Sequence, residues 1–295
     1  MKSLKGIFPA LLTPFDGTGK VNEESLRRMV EAGVERGVKG FYVCGSTGEA
    51  FLLTPEERKR ILEIVVNAAG GRAAVICHIG AIGTDLTLDL GRHAVSAGAD
   101  AVSSIPPFYY KYSEDEIAGY YLDIAKALDC PVIPYNFPNL SGVTLNAALM
   151  RRLREDSRIV GVKFTSNDLF QLERMRVADP ELLILNGFDE VFLAGLAMGA
   201  DGAVGSTFNF MPEKFLGIDR SFRAGDHSAA KKLQEEANEV IQVLIKTGKL
   251  LNAQKYLMDL QGIPCGECRR PFLPLTAEDR VDLERVARKL LILPA

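Results

Sequence analysis

Lys163 ends the apolar run Ile159-Val160-Gly161-Val162 and is followed by Phe164-Thr165. An ammonium at the end of a buried β-branched strand is costly unless something pairs or uses it, because desolvation penalises the charged form. The same penalty lowers the amine's pKa and makes it a nucleophile, the group that Schiff-base chemistry on a keto substrate needs. A lysine that snorkels to the strand end and does nothing is the alternative. Tyr135 follows Pro131-Val132-Ile133-Pro134; a phenol at that depth is either a satisfied core tyrosine or a proton relay beside an amine. Gly45-Ser46-Thr47-Gly48 is a turn whose glycines let backbone N–H groups face one point, and with its two hydroxyls it suits a carboxylate. It lacks the length and the lysine of a phosphate loop, and an ordinary capped βα turn reads the same way.

Asp189 and Glu190 suit either the recognition of sugar hydroxyls or the start of a helix, where acids are favoured. Tyr109 and Tyr110 form an aromatic pair that fits a lid, a partner contact or a second relay member. His78, near a strand end without an obvious partner, and His93, within a helix, read as structural. Cys265-Gly-Glu-Cys268 has metal-like spacing but no second pair, so these read as incidental thiols and no metal is expected.

These residues must be held by elements that recur along the chain. β-rich runs beginning near Ile7, Gly40, Ala74, Ala101, Pro131, Ile159, Leu182 and Gly202 alternate with amphipathic stretches. Their spacing is about the 25 to 30 residues of one βα unit. Helix starts are marked by Thr54-Pro55-Glu56-Glu57, by Ser113 with Glu116, and by Thr276 with Asp279. Eight such units predict an α/β fold, a closed (β/α)8 TIM barrel over residues 1–222. A doubly wound open sheet competes, but no Gly-x-Gly-x-x-Gly turn follows the first strand. Residues 223–295 read as an appended C-terminal helical extension, with one stripe at Ala230, Leu233, Ala237, Val240, Ile241 and Leu244 and another from Val281 to Leu291. Packing and subunit contact are its expected roles, not chemistry. In a barrel of this kind reacting groups sit at the C-terminal ends of the strands, which is where Ser46, Tyr135, Lys163, Thr165, Gly187, Asp189 and Ser206 fall.

With a formal net charge of -3 and interspersed acids and bases, a dominant nucleic-acid surface is not expected. No apolar run approaches the roughly 20 residues of a membrane helix. The N-terminal run Ile7 to Leu12, broken by Pro9, reads as a strand and not a signal peptide. Five scattered cysteines argue against a disulfide framework, and the cytoplasm is the expected address.

Leu11-Leu12-Thr13-Pro14-Phe15, Gly45-Ser46-Thr47-Gly48-Glu49, Tyr135-Asn136-Phe137-Pro138 and Gly161-Val162-Lys163-Phe164-Thr165, in that order, resemble the pyruvate-dependent class I aldolases. That family includes N-acetylneuraminate lyase and dihydrodipicolinate synthase, and the likeness covers nearly the whole chain. The synthases carry an Arg two positions after the proline of the Tyr-Asn motif; Leu140 stands there, which resembles the lyase branch. So do Asn186-Gly187-Phe188-Asp189-Glu190 and Gly205-Ser206-Thr207-Phe208-Asn209. One departure is Leu250, where some lyases place an aromatic residue against the sugar tail.

The resemblance implies that Lys163 forms a Schiff base with a 2-keto-3-deoxy sugar acid such as N-acetylneuraminate. Ser46 and Thr47 would hold its carboxylate. Tyr135 would relay the C4 hydroxyl proton, helped by Ser46 and by Tyr109 of a neighbouring subunit. Thr165, Gly187, Asp189, Glu190 and Ser206 would read the hydroxyls. No metal or organic cofactor is implied, and the expected assembly is a homotetramer. The rivals are another aldolase or dehydratase of the family and a sugar-acid binding or regulatory protein on the same barrel.

Overall fold

The computed structural model describes residues 2–290, 292 and 293. Its eight parallel strands are β1 (Gly6–Pro9), β2 (Gly40–Val43), β3 (Ala74–His78), β4 (Ala101–Ser104), β5 (Val132–Asn136), β6 (Gly161–Phe164), β7 (Leu183–Asn186) and β8 (Gly202–Gly205). They pair in the order β1-β8-β7-β6-β5-β4-β3-β2. The remaining seam is drawn shut by Lys39 N–H donating to Ile7 O at 3.0 Å and Leu11 N–H donating to Tyr42 O at 2.9 Å. The fold is therefore the (β/α)8 barrel expected, with a helical part after it.

The strands are short and buried on both faces, as the unbroken apolar runs require. One face fills the barrel with Phe8, Tyr42, Ile76, Ile133, Leu185 and Val204. The other packs against the surrounding helices in a larger core. Side chains alternate along a strand, so Tyr135 on β5 and Lys163 on β6, direct partners in the ladder, share a face and emerge together. Ile159 does not start a strand. It makes only an isolated bridge to Val132, and regular pairing begins at Gly161.

Three helix starts carry the boxes read from the sequence, at Thr54 with Glu57, Ser113 with Glu116 and Thr276 with Asp279. Each satisfies orphan N–H groups worth about 1 kcal/mol and fixes where a βα loop ends. After the barrel come helices His227–Lys246, Leu250–Leu260 and Ala277–Lys289. The first buries Ala230, Ala237, Val240, Ile241 and Leu244, with Leu233 half-buried. In the last, Leu283, Val286 and Ala287 form the buried face while Val281 is exposed, so the stripe starts later than expected. Leu291 lies outside the described residues. Among those described, no helix is long and apolar enough to cross a membrane.

Candidate active site

Lys163 rises from β6 into the barrel mouth and is 4% exposed. Its Nζ lies 3.9 Å from the centroid of the Tyr42 ring and 4.0 Å from that of Tyr135. Among the described residues it makes no ion pair or hydrogen bond. Aromatic faces replace only part of the lost hydration, so burial brings its pKa down from 10.5 to about 7, with the Asp189 carboxylate pulling the other way. The Tyr135 phenol is pushed up to about 12 by burial, and the nearby hydroxyls of Thr165 and Ser46 oppose that rise. Thr165 Oγ1 is buried and close enough to act on the phenol, yet it lacks a well-formed hydrogen bond and keeps capacity for a ligand.

The turn after β2 is a short 3-10 segment, Ser46–Gly48. Gly48 N–H donates to Gly45 O at 3.0 Å and Glu49 N–H to Ser46 O at 3.1 Å, which leaves the Ser46 and Thr47 N–H groups at the head of the turn for an anion. Thr13 O–H donates to Gly48 O at 2.7 Å and ties the turn to the loop after β1. Across the mouth, Gly187 after β7 must be glycine. A Cβ there would meet Thr165 Oγ1 at 1.8 Å.

Asp189 lies in the 3-10 turn that follows. Its carboxylate accepts from Thr207 N–H at 2.8 Å and Thr207 O–H at 2.7 Å, linking the loops after β7 and β8. Burial raises its pKa to about 6 against those two bonds. Helix His227–Lys246 supports the same loop: Gln234 donates to Asp189 O and Asn238 to Glu190 O, both at 3.0 Å. Ser206 Oγ accepts from the Gln254 side chain at 3.0 Å.

Ser46, Thr47, Tyr135, Lys163, Thr165, Gly187, Asp189, Glu190 and Ser206 line one cavity of about 580 Å³. Tyr109 does not line it. It is 84% exposed, with φ of 81° and its ring edge-on to Tyr110.

Two readings need correction. His78 does have partners: Nδ1 lies 2.9 Å from Cys44 O, and Nε2 accepts the Ile105 N–H at 3.3 Å. Burial, with Arg58 and Lys163 nearby, holds it well below the usual range and so neutral. The C-terminal helices are not confined to packing either, since Ile241, Ile245 and Leu250 wall the outer cavity with Phe51, Phe137 and Phe188. Cys265 and Cys268 are buried free thiols, and among the described residues no cluster of His, Cys, Asp and Glu could hold a metal ion. Sequence reasoning also missed Tyr42, whose interior strand position gives no motif signal, and Gln254.

A family model described as the dihydrodipicolinate synthetase family matches residues 3–290. An N-acetylneuraminate lyase of Citrobacter koseri is 42% identical over 295 residues, covering 98% of this chain and 98% of that one. CdNal from Clostridium difficile, solved in complex with mannosamine, is similar with a TM-score of 0.95 and 36% identity, covering 98% of this chain and 100% of that chain. A catalytic lysine mutant of Ruminococcus gnavus sialic acid aldolase gives a TM-score of 0.95 at 33% identity, covering 99% of this chain and 98% of that one. Barrel, mouth and sequence agree over almost the full length, and the chain belongs to the dihydrodipicolinate synthetase family.

Proposed function

We propose that the protein is a Schiff-base aldolase that reversibly cleaves N-acetylneuraminate to pyruvate and N-acetylmannosamine. The observation that carries this reading is the Lys163 amine, buried, held near pKa 7 and set against the Tyr135 ring. That shift gives the neutral form, able to attack the keto carbon, a substantial population near neutral pH. Attack at C2 and loss of water give an iminium. Tyr135 takes the C4 hydroxyl proton as it hands its own phenolic proton to a relay through Ser46 and Tyr109 from a neighbouring subunit of a tetramer, which later returns a proton to C3. The C3–C4 electron pair then moves into the iminium, which becomes an enamine as the amino-sugar aldehyde leaves. Protonation at C3 and addition of water release pyruvate and the free amine. The iminium on Lys163 is the electron sink, so the step calls for no metal or organic cofactor.

Ser46 and Thr47 hold the substrate carboxylate with N–H and O–H donors. Thr165, Gly187, Asp189, Glu190 and Ser206 take the hydroxyls. Leu140 on the cavity wall offers no second cation, which favours a sugar acid over a substrate with a second carboxylate. The work is done in the cytoplasm. Comparing pyruvate release from N-acetylneuraminate and from 2-keto-3-deoxygluconate tests the substrate. A clear preference for the second would move the assignment to another sugar acid, and release from neither would end it.

A further inference from the structure

Glu49 ends the Ser46–Gly48 turn in the left-handed region, at φ of 57°, and borders the cavity with its carboxylate buried behind the wall. One oxygen accepts the backbone N–H of Arg269 at 2.8 Å, which locks the turn to the C-terminal segment. That lock places a negative charge beside the turn proposed to bind the substrate carboxylate, and like charges in a poorly hydrated wall repel strongly. Lys255, on helix Leu250–Leu260, answers it. Its Nζ lies 2.6 Å from Glu49 Oε1, with both side chains fully shielded from solvent. The Phe15 ring centroid is 4.2 Å from the same nitrogen.

A buried ion pair is a weak source of stability, because desolvating two ions offsets their attraction. An apolar pair would anchor the helix as well. What an apolar residue at 255 could not do is cancel the charge on Glu49.

We propose that Lys255 is a positioning residue for the keto-acid carboxylate, acting through Glu49: it clamps the Ser46–Thr47 turn and keeps the wall behind it free of net negative charge. This rests on the Schiff-base reading above, and the test separates the two. The full-length enzyme is treated with pyruvate and borohydride, and the adduct on Lys163 is quantified by mass spectrometry. Lys255→Met should raise the pyruvate concentration for half-maximal trapping about tenfold or more, with trapping at saturation little changed. Glu49→Gln/Lys255→Met, which removes both charges, should return close to wild type. Lys255→Gln keeps a donor for Glu49, gives the same expected rise, and serves if Lys255→Met does not fold.

An unchanged half-saturation in the single variants overturns the inference. So does a double variant as impaired as the single one, which is what a simple anchor would give. If the wild type itself traps no pyruvate, the Schiff-base reading fails and this inference falls with it.

Discussion

Lys163 and Tyr135 are direct partners across the β5–β6 ladder, and the lysine nitrogen lies 4.0 Å from the centroid of the tyrosine ring. A one-residue shift in either strand would turn one of the two side chains out of the barrel. Register thus sets the chemistry: a weakly solvated amine and a phenol share one face by construction of the sheet.

Burial makes Lys163 a liability to folding. Its pKa is about 7 when folded and 10.5 in the unfolded chain, so the unfolded state holds an extra proton between those values. The drag on stability is full below about pH 7 and fades as pH rises toward 10.5. Lys163→Met should therefore resist urea better than wild type at about pH 6, by up to the order of 4 kcal/mol, with the advantage shrinking by about pH 9.5. A variant less stable at the lower pH would contradict the burial argument.

Tyr135→Phe keeps the ring against Lys163 and removes only the hydroxyl. Steady-state cleavage should drop about 100-fold or more, the usual loss for a proton relay, while the imine still forms. Full turnover in this variant would remove Tyr135 from the relay.

Gly187→Ala forces a methyl to within 1.8 Å of the present Thr165 Oγ1. Overpacking of this kind costs about 1–3 kcal/mol. Urea midpoint and cleavage rate should both fall, whereas Gly187→Ala with Thr165→Gly should recover part of the stability. No change in either quantity would mean that the two loops do not approach each other this closely.

Tyr109, exposed and absent from the cavity of its own chain, acts only if a neighbour receives it. Tyr109→Ala and Tyr135→Phe, each slow alone, should regain activity when mixed, dissociated and reassembled, because some sites then combine two intact tyrosines. Mixtures no faster than their components would remove the shared site.

The strands were legible because each is a short β-branched or small-residue run set off by glycine, proline or a polar turn. The site was legible to the extent that it occupies strand ends, as Ser46, Tyr135, Lys163 and Ser206 do. The exception at Ile159 is physical: an apolar residue was read as pairing where only a bridge forms. What stayed hidden are contacts between distant segments. Arg269 reaches Glu49 across 220 positions, and Gln254 reaches Ser206 across 48. His78 finds its partner in a backbone carbonyl, which no side-chain pattern reveals.

The central claim is that the Lys163 nitrogen forms a covalent bond to the keto carbon of pyruvate. Borohydride reduction with pyruvate, followed by peptide mass spectrometry, tests it directly. The account predicts one reduced adduct, on the peptide carrying Lys163, lost in Lys163→Met and retained in Tyr135→Phe. An adduct on another lysine, or none at all in an enzyme that still cleaves its substrate, would contradict it.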